Sequence, residues 1–256
     1  MEVTFLGTGT SMGVPMIGCN CAVCSSEDPR NKRLRSSVYI QTENNKFIID
    51  TTPEFRIQMI RENIKELDFI LFTHDHADHI LGIDDLRPLC KKNNKTIPCY
   101  GSRYTLSEIK ERFPYLFSED NPDSWRPKLD FIPVEDKFEE SGLEIIPLSV
   151  EHGNERALGY RIKDFAYISD LSDLPEQTAE KMKNLEVLVL DGLRFEPHYK
   201  HFHIEKAIET SQKLNPKKTY LTHLTHAIGH DKVEANLPEN IHLAYDGLKL
   251  QMNGGS

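Results

Sequence analysis

The chain of 256 residues is expected to fold as stacked β-sheets covered by helices, an α/β architecture. Strand-like and helical segments alternate along its whole length, without a repeat or a low-complexity linker. Strand after strand ends in a histidine or an aspartate, which gathers polar ligands along one edge of the sheets. The length allows one large domain or two small ones and a substantial buried core.

Taken in order, Glu2 to Leu6 reads as a strand and is followed by a long loop rich in glycine and cysteine. Within that loop Gly7 to Gly13 lacks the Lys-Ser/Thr ending of a phosphate-binding P-loop and no obvious helix follows it. Its glycines are expected to let backbone pass close to a metal site. Ser37 to Thr42 and Lys46 to Asp50 form strands, joined by a tight turn at Asn44-Asn45. Phe55, Ile57, Ile60, Ile64 and Leu67 have helical spacing, so a helix is expected over 54–67 with Pro53 near its start. Leu67 to Phe72 is a buried strand.

In the second half, Leu143 to Val150 runs as a strand into Glu151-His152-Gly153. Leu158 to Ile162 and Phe165 to Ser169 make a hairpin ending in Asp170. Leu185 to Asp191 is a buried strand, Ile204 to Leu214 a helix, and Lys218 to His223 a further strand. Residues 91–140, with Pro98, Pro114, Pro122, Pro127, Pro133 and the single Trp125, are the least regular. They read as an insertion or lid beside the site, or equally as a surface decoration.

A formal charge of −9 argues against a nucleic-acid binder that relies on a broad basic surface. No signal peptide is visible, and no apolar run approaches the roughly 20 residues of a membrane span. A cytoplasmic protein is the expectation. Three of the five cysteines are packed as Cys19-x-Cys21-x2-Cys24. In a reducing compartment such a cluster is more often a metal site than a disulfide framework, and zinc would require a fourth ligand.

The run Thr73-His74-Asp75-His76-Ala77-Asp78-His79 carries the chemistry. Three histidines and two aspartates stand within six positions at a strand end, in a chain with only 11 histidines, which packing does not explain. His74 and His76 can close on one metal while Asp78 and His79 reach a second beside it. Two metals about 3.5–4 Å apart can clamp the attacking and leaving oxygens of a displacement.

His74-x-His76-x-Asp78-His79, followed by His152, Asp170 and His223, resembles the metallo-β-lactamase superfamily over essentially the full chain. The resemblance implies a single αββα four-layer sandwich over residues 1–256, with the site at one edge of the two sheets. It implies two divalent active-site metals, zinc or manganese. His74, His76 and His152 would hold one, Asp78, His79 and His223 the other, with Asp170 bridging. Gly7 to Pro15 and the cysteine cluster resemble the phosphodiesterase branch typified by the cyclic-phosphate phosphodiesterase of phosphonate breakdown. That branch implies a structural zinc on Cys19, Cys21, Cys24 and His226. It also places His201 near the leaving group, as the candidate general acid, and Asp50, Asp75 and Asp191 at recurring supporting positions.

The function expected is hydrolysis of a small, possibly cyclic, phosphodiester or nucleotide, with Asp78 orienting the nucleophile or taking its proton. Arg56 and Arg87 are candidates for pairing with a substrate phosphate, or ordinary surface ion-pair partners. His230 would support the site or meet substrate, His198 and His242 are read as surface or packing histidines, and Cys90 and Cys99 as buried thiols. The partner expected is a small molecule, not nucleic acid or membrane, and related enzymes make a homodimer possible. Alternatives are an RNA-processing nuclease of the transfer-RNA 3′-maturation type, a thioester hydrolase, or a non-catalytic binding protein on the same fold. The acidic balance and the lack of a basic glycine-rich arm weigh against the nuclease. A cysteine-bound zinc would be unexpected in the thioesterase.

Overall fold

The computed structural model describes residues 1–117 and 125–252. Its strands are β1 (Glu2–Gly7), β2 (Ser37–Gln41), β3 (Lys46–Ile49), β4 (Phe69–Leu71), β5 (Ile97–Gly101), β6 (Leu129–Pro133), β7 (Phe138–Glu140), β8 (Leu143–His152), β9 (Glu155–Ile162), β10 (Phe165–Ile168), β11 (Val187–Asp191), β12 (Lys218–Thr222), β13 (Ile241–Leu243) and β14 (Lys249–Gln251). They form two seven-stranded sheets, ordered β14-β1-β2-β3-β4-β5-β6 and β13-β12-β11-β10-β9-β8-β7.

The two-residue period of each strand sorts its side chains into layers. Phe69 and Leu71 of β4 face the core between the sheets, where Phe47 stacks on Phe69 with ring centroids 4.3 Å apart. Ile70 and Phe72 face outward to a second apolar layer. In β11, Val187 and Val189 join the central core while Leu188 and Leu190 face the outer layer of the other sheet. Strands buried on both faces read as continuous apolar runs, and these do. The outer layers are covered by α1 (Phe55–Arg61), α2 (Ala77–Ile80), α3 (Arg87–Asn93) and α4 (Arg103–Arg112) on one side. On the other lie α5 (Glu176–Glu180), α6 (Ile204–Leu214) and α7 (His230–Glu234). This is the αββα sandwich.

Two expectations change. The helix expected over 54–67 ends at Arg61, because Asn63 takes a left-handed φ of 54°, which asparagine tolerates, and the chain then turns to bury Leu67. Residues 91–140 supply β5 and β6 to the first sheet and β7 to the second, so most of that segment is sheet and helix; 118–124 lie outside the described residues. The glycines of the first loop do let backbone pass close by: a Cβ on Gly7 would lie 1.9 Å from the Arg35 carbonyl oxygen and one on Gly9 2.8 Å from that of Arg33, and Gly9 bridges Leu224, the neighbour of His223.

Candidate metal centre

The histidine motif leaves β4 at the edge where the two sheets meet. Tyr160 Oη donates to the Phe72 carbonyl at 2.7 Å and Leu158 N to that of Thr73 at 2.9 Å, so β9 of the second sheet holds the end of the first. Asp50, just after β3, fixes the motif from below. Its carboxylate accepts from Thr73 N and Thr73 Oγ1, both at 2.8 Å, and from His79 Nδ1 at 2.7 Å. Asp50 and His223, each following a strand, have φ of 67° and 59°. Left-handed backbone at residues other than glycine costs about 1–3 kcal/mol and concentrates at functional sites.

The ligand atoms of His74, His76 and His152 lie within 4.8 Å of one another, as do those of Asp78, His79 and His223. Asp170 stands between the two trios. Its Oδ2 is 3.3 Å from His79 Nε2 and its Oδ1 3.4 Å from His223 Nε2, and it also groups with His74 and His79. Asp78 Oδ2 is 3.3 Å from His79 Nε2 and 3.6 Å from His223 Nε2.

Four of the five histidines have their other ring nitrogen engaged. His74 Nδ1 donates to Thr73 Oγ1 at 3.0 Å, His79 Nδ1 to Asp50, His152 Nδ1 to the Lys200 carbonyl at 2.9 Å, and His76 Nε2 to Glu155 Oε2 at 3.1 Å. Those bonds leave the lone pairs of His74 Nε2, His76 Nδ1, His79 Nε2 and His152 Nε2 facing inward. Among the described residues, His74 Nε2, His79 Nε2, Asp170 Oδ2 and His223 Nε2 are buried without a hydrogen-bond partner. Such orphaned buried atoms are costly unless something binds them.

The charge balance points the same way. Burial raises the carboxyl of Asp170, but His223 and His79 outweigh it and hold it well below the usual range. Burial depresses His223, but Asp170 and Asp78 outweigh it and raise the ring to about 9. The cluster draws positive charge, and its imidazole and carboxylate donors fit a pair of divalent cations of the zinc or manganese kind.

At the rim, His201 Nδ1 donates to the fully buried Asp191 Oδ2 at 2.8 Å and lies 3.6 Å from Asp170 Oδ1. Its ring stacks on His223 at 4.8 Å, leaving Nε2 as the free nitrogen. Asp75 is paired with Arg112, from the last turn of α4, through both its side chain and its carbonyl.

A second constellation lies outside this edge. Cys19, Cys21, Cys24 and His226 bring their ligand atoms within 4.8 Å of one another, with His226 Nδ1 3.2 Å from Cys19 Sγ and 3.4 Å from Cys21 Sγ. Cys24 N and Met16 N donate to the sulfurs of Cys21 and Cys24. The Cys24 amide, then His226, bring the Cys21 thiol down to about 6, which favours the ligating thiolate. The donor set fits a tetrahedral zinc.

Other candidates fall elsewhere. Arg56 stands on the exposed face of α1, and Arg87 is paired with Asp84 in a surface cleft lined by Lys91 and Trp125. Neither side chain is brought to the histidines. His230 is buried against Arg33, whose Nη2 donates to its Nδ1 at 3.3 Å, with Tyr245 edge-on, so it is a packing residue and not a substrate contact. His242 pairs with Glu234, and Cys90 and Cys99 are buried thiols. His198, read as ordinary, lies against His201 with ring centroids 5.2 Å apart. Sequence reasoning missed Glu155, Lys200 and Arg112. The first two had a signal in adjacency, three residues after His152 and one before His201, whereas Arg112 had none.

The family model described as a beta-lactamase superfamily domain matches residues 45–224. A solved diphosphatase of the PhnP family is 41% identical, with a TM-score of 0.92 over 98% of both chains. An octanoyltransferase of Porphyromonas gingivalis is 38% identical over 254 residues, 97% of this chain and 51% of that protein, so the chain spans about half of that relative's length. A ribonuclease Z of Listeria welshimeri is 28% identical over 218 residues, 76% of this chain and 62% of that protein.

Proposed function

The chain belongs to the metallo-β-lactamase superfamily of metal-dependent hydrolases, and within it we propose a phosphodiesterase acting on a small linear or cyclic phosphodiester or nucleotide. The observation that carries this reading is the Asp191–His201 dyad beside a buried two-trio ligand set. On this reading His74, His76 and His152 would hold one metal and Asp78, His79 and His223 the other, with Asp170 between the two trios. Two zinc or manganese ions there would lower the pKa of a bound water to near 7 and offset charge on phosphoryl oxygens.

The rest falls to the protein. Asp78, 11% exposed at its side chain, orients the attacking water or takes its proton. Asp191 accepts from His201 Nδ1 and fixes the ring, so that Nε2 is the nitrogen aimed to deliver a proton to the departing oxygen. The tight packing around Thr73 and Asp50 holds these groups in place before substrate arrives. Cys19, Cys21, Cys24 and His226 take a structural zinc.

A second reading, cleavage of a phosphoric anhydride, is favoured by the likeness to the PhnP-family diphosphatase. The same apparatus serves both reactions, because each displaces an oxygen from phosphorus. The transfer named for the Porphyromonas protein belongs to that longer chain. The test is hydrolysis of bis(p-nitrophenyl) phosphate, a diphosphate ester and a thioester by protein reloaded with zinc or manganese. Diester turnover that vanishes in Asp78→Ala is expected. Thioester turnover alone would overturn the proposal.

A further inference from the structure

Glu155 opens β9 at the tip of the β8–β9 hairpin, with its side chain 49% exposed. One oxygen, Oε2, accepts from His76 Nε2 at 3.1 Å and from Lys200 Nζ at 3.2 Å. His76 is the most exposed ring of its trio, at 32%, and comes from a loop of the first sheet, whereas Glu155 belongs to the second. Its ring is otherwise free to rotate about χ2, which would present either nitrogen to the centre.

We infer that Glu155 is a positioning residue for the first metal: it holds the proton of His76 on Nε2 and so turns Nδ1, 3.4 Å from His152 Nε2, toward the cation. The inference rests on the ligand assignment above but not on the reaction. The other histidines of the trio are held by a backbone carbonyl, for His152, and by the buried Thr73 hydroxyl, for His74. His76 alone is oriented by an exposed side chain. A carboxylate also makes the imidazole a stronger donor than a carbonyl does, because its negative charge stabilises the partial positive charge that coordination leaves on the ring. Lys200 is bound at both ends of this arrangement, with its carbonyl accepting from His152 and its ammonium on Glu155. The ammonium draws charge from the carboxylate and limits its reach, so Lys200 tempers the effect of Glu155 instead of supplying it.

The experiment is a manganese titration of the whole protein carrying one equivalent of zinc in its thiolate cluster, following free manganese by electron paramagnetic resonance. Wild type should take two manganese ions. Glu155→Ala should keep one at its original affinity and bind the other about 10–100-fold more weakly, the usual effect of losing a ligand's supporting partner. Glu155→Gln, whose carboxamide oxygen still accepts from His76, should fall between, and Lys200→Met should bind both ions at least as tightly as wild type. The melting temperature of the metal-free protein should not move in Glu155→Ala, since the residue is exposed, which separates positioning from unfolding. Unchanged affinity in Glu155→Ala would overturn the assignment. So would an equal loss in Lys200→Met, which would make the rim ion pair the important element. Failure of the phosphodiesterase proposal would leave the titration untouched.

Discussion

At the histidine–aspartate centre His74, His79, His152, Asp170 and His223 are buried, and four of five rings have their outer nitrogen fixed. At the thiolate cluster Cys19, Cys21 and His226 are half-buried, on loops 207 residues apart between Cys19 and His226. The first set of ligands is held by strand ends and by Asp50, so the fold makes the site. The second sits on an irregular loop whose backbone meets the segment after β12 through Leu224 N to the Thr8 carbonyl and Thr10 N to that of Leu224. There a bound zinc would help to make the fold. A centre built for chemistry needs its geometry before the substrate arrives, whereas a structural zinc can contribute its binding energy to ordering the chain.

The largest effect that separates the two is Asp78→Ala, expected to lower turnover by about 10³-fold or more while the thiolate cluster keeps its zinc. Metal analysis beside a kinetic assay reads both at once. His201→Ala comes next, with an expected loss of about 10²–10⁴-fold on substrates that leave as alkoxides. The loss should shrink for p-nitrophenolate, which departs without a proton. An equal loss on both leaving groups would remove His201 from the acid role.

Cys21→Ser should do the reverse of Asp78→Ala. Turnover per loaded centre should hold, while the melting midpoint of the zinc-loaded protein falls by about 5–10 °C. Calorimetry with and without a chelator separates that loss from an effect on the active centre.

The smallest effect concerns His230, which lies outside both regions, held by Arg33 and by its own N–H on Asn31 Oδ1. Burial, then the charges of Arg33 and Arg30, push its pKa down to about 4. Below pH 6.5 the unfolded chain takes up a proton that the folded one refuses, so this group's stabilisation is lost as pH falls from 6.5 toward 4, by up to about 3 kcal/mol. Asp246 has the opposite sign. Burial raises its carboxyl to about 6, so its contribution falls as pH rises from about 4 to 6. His230→Gln should therefore expose the Asp246 slope, with the variant gaining stability relative to wild type as the pH is lowered. Chemical denaturation of metal-free protein between pH 4 and 7 measures the difference, and parallel curves would refute it.

What the sequence disclosed follows the same division. The motif from His74 to His79, the ends of α6, the strands ending before Asp170 and His223 and the strand ending at Asp191 were all legible, because apolar periodicity and ligand spacing are local. Cys19, Cys21 and Cys24 were legible as a ligand cluster from their spacing, and His226 only by resemblance, since nothing local joins residue 24 to residue 226. Arg56 and Arg87 were misjudged because proximity to a loop does not fix which way a helical side chain points. Glu155 and Arg112 act across elements, one from the opposite sheet and one from α4; nearness to His152 was the only signal for Glu155, and no pattern within a window reports the Arg112 contact. The early end of α1 turned on a single left-handed residue, Asn63, inside a helical spacing.

The two centres differ most directly in the number of metals they would take and in what each metal would do. Elemental analysis of zinc-reconstituted wild type, Cys21→Ser and Asp78→Ala, each with its diester turnover, would decide both. Three metals per chain in wild type are predicted, two in Cys21→Ser with turnover kept, and fewer than three in Asp78→Ala with turnover gone. Loss of turnover in Cys21→Ser with both histidine-bound metals still present, or full activity in Asp78→Ala, would contradict the division of labour between the two centres.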